Sequence, residues 1–443
     1  LVVTTKIIAL VLAVVMMMVL GTTALAADGD NKLPDSGIVS TPTNGTVTFQ
    51  QTLILYNDEG KQVYEPNIVY TYTLSSIAAN ATVTDRDNNS AHVYSDTVPV
   101  TGENSVVSAN TATATFATTD GLQNAATTGS AVTKDVSFTF NATKFPHAGI
   151  YRFTITETAA AAGVTDTADA LTAAGIERPT AYITTKNLDV YVRNNVETLE
   201  IYGFVMFDSE TPGTASITTT GTEKNSGYTK PGSADDYSAD TYCDHYKTIN
   251  LTVKKLVTGS LGDKTNEFPF AYTLTLPTTV KAAVKYQYTQ TGAESETDVD
   301  IAQSTSGSAV STIGTADTTS VLNLKNNETF QIIGVPFGTT FSINEYNNTP
   351  DKYATTAAGT NMTITAGESA QDFEASKKLT TDIEGKEDNT TWAAGQNMIT
   401  ITNELNEVSP TGYVVRFAPY ALMLAGGIVI LALSRRRKSA NVA

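Results

Sequence analysis

The sequence predicts an all-β protein built from tandem immunoglobulin-like β-sandwich domains, and three observations carry that expectation. Thr, Val, Ile and Tyr dominate the interior of the 443-residue chain, and its best segments alternate apolar and polar side chains with period two. Gly, Asn, Asp and Pro punctuate the gaps between those segments. No long amphipathic stretch of helical period separates them, so the crossover helices of a parallel sheet are not expected.

The chain opens with Lys6, an apolar run over 7–20 and the small-residue stretch Ala24-Leu25-Ala26-Ala27. That is the order of a secretory signal peptide, with cleavage expected after Ala26, so residues 1–26 are set aside from the fold. Residues 27–247 form the expected first domain. Val47, Phe49, Leu53 and Leu55 share one face of its opening strand, and further strands are expected at 68–74, 136–140, 151–155, 188–192 and 199–207. The Ala-rich piece 159–174 reads equally as a short helix or a loop. A Gly-, Ser- and Asp-rich stretch, 227–240, precedes a boundary placed near Lys247. The expected second domain, 248–407, carries strands at 251–257, 268–276, 321–324, 330–335, 341–343 and 398–401.

Composition narrows the function. A net charge of −17 argues against nucleic acid, whose phosphates attract basic surfaces. One cysteine, Cys243, rules out an internal disulfide, so an exported chain must find its rigidity elsewhere. His92, His147 and His245 lack metal-ligand spacing, and no phosphate loop or nucleophile elbow occurs, so neither cofactor nor metabolic enzyme is expected.

The C-terminal segment 408–443 reads Val408-Ser409-Pro410-Thr411-Gly412, then a largely apolar run to Leu433, then Arg435, Arg436, Arg437 and Lys438. Its uninterrupted part, 417–433, falls a little short of the roughly 20 residues that span a bilayer comfortably. The basic cluster should stay cytoplasmic, retaining the exported chain transiently in the membrane. This order resembles the cell-wall sorting signal of Gram-positive surface proteins. The resemblance implies that a sortase cysteine attacks the Thr411 carbonyl, cuts before Gly412 and passes Thr411 to an amine. The usual motif has Leu-Pro ahead of a variable residue; here Val408 and Ser409 hold those places, as in variants found in some pilins.

Period two then gives its sharpest result. Leu251, Val253 and Val257 point one way, and Lys255 must join them. By the same alternation Glu345 shares a face with Phe341 and Ile343, and Asn403 with Ile399 and Ile401. An amine, an acid and an amide are thereby aimed at one apolar core. Burying a charged amine alone costs several kcal/mol, so such a set is expected to meet. The plainer alternative is three unconnected residues at strand ends, where water reaches them. If they meet, desolvation favours the neutral forms of amine and acid. The amine is then a nucleophile, and the acid can polarise the amide carbonyl and shuttle protons. Attack by Lys255 on Asn403 would expel ammonia and leave an isopeptide bond, once per molecule.

The stretches Leu251-Thr252-Val253-Lys254-Lys255-Leu256-Val257-Thr258-Gly259, Phe337-Gly338-Thr339-Thr340-Phe341-Ser342-Ile343-Asn344-Glu345 and Ile399-Thr400-Ile401-Thr402-Asn403 resemble the streptococcal-type pilin isopeptide-linkage domain. That resemblance covers most of 248–407 and implies a Lys255–Asn403 bond with Glu345 as catalyst. The first domain resembles the other half of such pilins but departs from the pattern. Glu157 keeps its place, whereas the lysine place falls on Gln51 and the asparagine place on Asp244. A hydrogen-bonded Gln51–Glu157–Asp244 cluster with at least one acid protonated is expected instead. Asn194 is a second candidate acceptor, still without a lysine. A Cys243–Gln51 thioester is disfavoured because alternation turns Cys243 away from Gln51.

Together these readings describe a structural surface protein rather than an enzyme. It would be exported and joined by a sortase to peptidoglycan or to neighbouring pilin subunits, with Lys230 as the candidate polymerisation lysine and Lys247 next. The rival is a monomeric wall-bound adhesin that meets a host or surface ligand through the loops of its first domain.

Overall fold

A computed structural model of the chain describes residues 38–40, 45–77, 81–84, 91–94, 97–178, 184–207, 241–314, 322–347, 353–366, 379–387, 392, 394–406, 423–424 and 428. The expected signal peptide, Lys230 and its surrounding stretch, Thr411, Gly412 and nearly all of the apolar C-terminal run lie outside the described residues. Among the described residues no helix is long and apolar enough to cross a membrane.

The regular structure of the described residues is almost entirely strand. Its regular α-helix, Thr167–Ala173, settles the Ala-rich piece: the strand Gly149–Ala160 ends, a turn follows, and Asp166 caps the helix by accepting from the Ala168 and Asp169 amides. Ala162 sits at φ 54° in that turn.

Two apolar cores result from the alternation. In the first, a six-stranded sheet runs Ile38–Ser40, Thr198–Phe207, Thr185–Asn195, Gly149–Ala160, Ile68–Ser76 and Thr111–Phe116 in spatial order. Its inner face packs against Thr46–Asn57, Ser130–Thr139 and the beginning of Thr241–Thr258. Phe49 meets Tyr72 edge-on at 5.1 Å, and Phe140 lies between Phe153 and Phe204 at 5.2 and 5.6 Å. The second core lies under a six-stranded sheet ordered Val310–Gly314, Phe268–Thr275, Thr340–Asn347, Leu379–Glu387 and Met362–Ala366, with the short strand Asn323–Leu324 also paired to Phe268–Thr275.

The opposing layer of both cores is one nine-stranded sheet, and the 18-residue strand Thr241–Thr258 runs through it. Residues 241–248 pair in parallel with 50–57, and residues 251–258 pair in parallel with 397–404. On its other edge, residues 248–254 pair antiparallel with Thr329–Pro336. The apolar core changes over between Tyr246 and Ile249, beside the boundary expected at Lys247. The backbone does not break there: one strand closes the first sandwich and opens the second.

One buried carboxyl in the first sandwich is poorly paired. Glu65 is 1% exposed, and neither carboxylate oxygen has a hydrogen-bond partner among the described residues. Lys134 Nζ lies 3.7 Å away but is engaged at 2.8 Å by Asp120. Burial pushes the Glu65 carboxyl up to about 7 against the pull of Lys134, with Asp120 adding to the rise. The folded chain therefore holds a proton that the unfolded chain releases, so stability falls as pH rises from about 4.5 to about 7. Glu65→Gln should be more stable than the parent at pH 8, by on the order of 1–2 kcal/mol, and indistinguishable at pH 4. Urea unfolding at the two pH values measures this.

Candidate functional site

Lys255 and Asn403 reach the second core from neighbouring strands of the nine-stranded sheet. Asn403 lies opposite Val257, one same-face step beyond Lys255. Glu345 comes from the facing sheet, on the Thr340–Asn347 strand between Phe270 and Thr381. All three are buried: Lys255 and Asn403 at 0% exposure, Glu345 at 3%. The structure thus brings together the three residues that period two aimed at one core.

Their contacts are direct. Lys255 Nζ donates to both Glu345 oxygens, at 3.0 and 2.9 Å. Asn403 Nδ2 donates to Glu345 Oε1 at 2.5 Å. The Lys255 ammonium also lies 4.4 Å from the centre of the Phe268 ring. Burial pushes the Lys255 amine down to about 8, with the charge and hydrogen bonds of Glu345 opposing. The neutral amine is therefore far more accessible near neutral pH than that of an exposed lysine.

The geometry adds one residue. Thr355, on the edge strand Ala354–Thr360, donates its hydroxyl to Asn403 Oδ1 at 2.8 Å. Glu345 faces the Asn403 amide nitrogen, and the Thr355 hydroxyl holds the oxygen. Thr355 gave no sequence signal, because its strand, Ala-Thr-Thr-Ala-Ala-Gly-Thr, is exposed almost throughout and lacks an apolar face.

The first sandwich assembles the corresponding positions without an amine at the lysine place. Gln51, Glu157 and Asp244 are all buried, at 0, 2 and 0% exposure. Tyr72 donates to Gln51 Oε1 at 2.6 Å and to Glu157 Oε2 at 3.3 Å, and Tyr70 donates to Asp244 at 2.9 Å. Burial holds both phenols well above their ordinary range, with the Asp244 and Glu157 carboxylates adding to it, so they stay donors. Arg178 completes the cluster. Its guanidinium makes two 2.8 Å bonds to Asp244 and one of 2.5 Å to Glu157. Where the sequence led us to expect a proton to neutralise two close acids, a guanidinium lies between them. Arg178 follows the two-residue strand Ile176–Glu177, too short for periodicity to flag it.

Asn194 is exposed near the end of its strand and does not join this cluster. Cys243 is buried, and Lys247 pairs with Glu177 at 2.5 Å on the surface. Truncating Arg178 would leave two buried carboxylates with no cation between them. Arg178→Met should cost about 3–5 kcal/mol at pH 7, read by denaturant titration.

Three comparisons bear on this arrangement. A family model described as a domain of unknown function (DUF7601) matches residues 249–377, a span that holds Lys255 and Glu345 and stops short of Asn403. No curated protein sequence matches the chain. Among solved structures, the chain is similar to the major pilin from Streptococcus pyogenes, at 17% identity over 83% of this chain and 100% of that one, with a TM-score of 0.39. It is also similar to the major pilin protein T3.2 from a Streptococcus pyogenes serotype, at 18% identity over 82% of this chain and 99% of that one, with a TM-score of 0.35. A pilus-presented adhesin matches at 15% identity over 51% of this chain and 38% of its own length, with a TM-score of 0.20.

Proposed function

We propose that this chain is a pilin-like structural subunit of the Gram-positive cell surface, cross-linked internally by a Lys255–Asn403 isopeptide bond. One observation carries the cross-link. A single buried carboxylate touches both the amine that would enter and the amide nitrogen that would leave. In the reaction, Lys255 Nζ attacks Asn403 Cγ, and a proton passes from the amine through Glu345 to the Asn403 amide nitrogen. The Cγ–Nδ2 bond breaks, the new Cγ–Nζ bond remains, and ammonia departs. As charge builds on Oδ1, the Thr355 hydroxyl already points at it. Holding the partners in contact supplies the proximity that a bimolecular amide exchange lacks. The step happens once in each molecule, so it is maturation and not turnover.

The bond would close a loop of about 150 residues, worth roughly 5 kcal/mol on the chain-entropy estimate. Its placement matters more: tension applied at the C-terminal end of the last strand would meet a covalent link to the second sandwich's opening strand before the sheet could unzip. That property suits a tethered subunit. Export by the signal peptide and transfer of Thr411 by a sortase to peptidoglycan or to a neighbouring subunit complete the reading.

Intact-mass measurement of the purified chain should fall about 17 Da short of the sequence mass, the loss of one ammonia. Lys255→Ala, Glu345→Ala and Asn403→Ala should each restore the full mass; a full-mass parent would end the proposal. On refolding, ammonia loss should speed up as pH rises towards about 8, where the Lys255 amine gives up its proton. Thr355→Val should slow it by roughly 10- to 100-fold without abolishing it. On cells, Thr411→Ala should abolish boiling-resistant, high-mass species on a denaturing gel.

A further inference from the structure

At the point where the two cores meet, two strands abut end to end along one edge of a third. The strand Thr46–Asn57 stops pairing with the junction strand at Thr248, and Asn397–Glu404 begins at Leu251. Asn250 lies in that gap. On the opposite edge the register with Thr329–Pro336 shifts between Ile249 and Leu251, and Gly334 there adopts φ +79°. Regular pairing is therefore interrupted on both sides of Asn250. Left alone, its buried backbone and side chain would be an expensive defect.

Side chains from both sandwiches fill it. Asp58, in the turn after Thr46–Asn57, accepts the Asn250 amide on Oδ1 at 3.0 Å and the Asn397 side-chain amide on Oδ2 at 2.8 Å. Asn397 Nδ2 also reaches the Asn250 carbonyl at 3.3 Å. The Asn250 side chain exchanges bonds with Asn57 at 2.9 and 3.2 Å and accepts from the Gly334 amide at 3.0 Å. All four of these side chains are buried: Asn57 and Asn250 at 0%, Asp58 at 2%, Asn397 at 7%. Trp392 lies across the outside, meeting Tyr56 edge-on at 5.3 Å and donating to the Thr248 carbonyl at 3.1 Å.

We propose that Asp58, Asn250 and Asn397 splice the two sandwiches into one energetic unit, so that the second sandwich supports the first through this contact. The first sandwich has arginine–carboxylate bonds where the second has the proposed cross-link, and the splice is its route to that support. Because hydrogen bonds to a buried carboxylate are satisfied only when both halves are folded, loosening either half weakens the other, and the effect is reciprocal. The coupling does not require the isopeptide bond, and its measurement reads hydrogen exchange, not mass.

The deciding variant is Asn397→Ala in the full chain, since Asn397 belongs to the second sandwich. Amide exchange across Gly149–Ala160, in the first sandwich, should quicken by about tenfold or more, as expected for a coupled contact. Conversely, Asp58→Ala should quicken exchange across Asn397–Glu404, and the double variant should add little to either single change. First-sandwich exchange that stays within about twofold of the parent in Asn397→Ala would overturn the proposal. Should Asn397→Ala fail to fold, the parent chain still decides through Trp392, its one tryptophan. Its emission should change in step with first-sandwich unfolding, and a junction signal that persists after that sandwich has melted would overturn the coupling.

Discussion

A lysine amine sealed inside a β-sandwich must either lose its charge or find an acid, and much of the second sandwich is arranged around that constraint. Lys255 is fully buried because its strand is covered on both edges, by Thr329–Pro336 and Asn397–Glu404, while the facing sheet closes over it. The facing sheet supplies Glu345, and the neighbouring strand supplies Asn403. The same desolvation that makes the amine costly also lowers its proton affinity, the property that the proposed cross-link would use. Packing and chemistry here are one requirement seen at two levels.

The first sandwich meets a related constraint with different means. With Gln51 in the corresponding place, no primary amine enters from that strand, and two acids remain to be neutralised. Arg178 reaches them from a short strand that pairs at the start of the junction strand. A guanidinium cannot give up its proton to become a nucleophile under ordinary conditions, so this arrangement can hold but cannot condense. The two sandwiches therefore share architecture and differ in whether their polar centre holds a primary amine or a guanidinium.

Alternation made the second centre legible because Lys255, Glu345 and Asn403 all lie on strands whose other residues fix the inward face. Gln51 and Glu157, which alternation also turned inward, are buried, as is Asp244. Alternation failed where strands carry no apolar face. Ala354–Thr360 escaped notice for that reason, and Thr355 with it. The strand Leu379–Glu387 was missed because polar residues dominate it, whereas the hairpin Val284–Gln290 with Thr297–Ile301 does alternate, burying Val284, Tyr286 and Ile301, and was passed over. The continuity of Thr241–Thr258 was hidden too. A composition change at 227–240 marks a boundary in sequence, but only pairing partners reveal that the strand after it serves both cores. Nothing local to Asp58 or Asn397 indicates that they meet, since they are brought together from opposite ends of the described chain.

The parallel pairing fixes a direction as well as a contact. Thr46–Asn57, Thr241–Thr258 and Asn397–Glu404 all run the same way, the first and last laid head to tail along the middle one. At about 3.3 Å per residue, the 18-residue strand separates its ends by roughly 60 Å. The polypeptide consequently enters the paired body near one pole and leaves at Glu404 near the other. A body with its entrance and exit so far apart has a built-in heading: copies joined tip to tail would extend along a line instead of clustering.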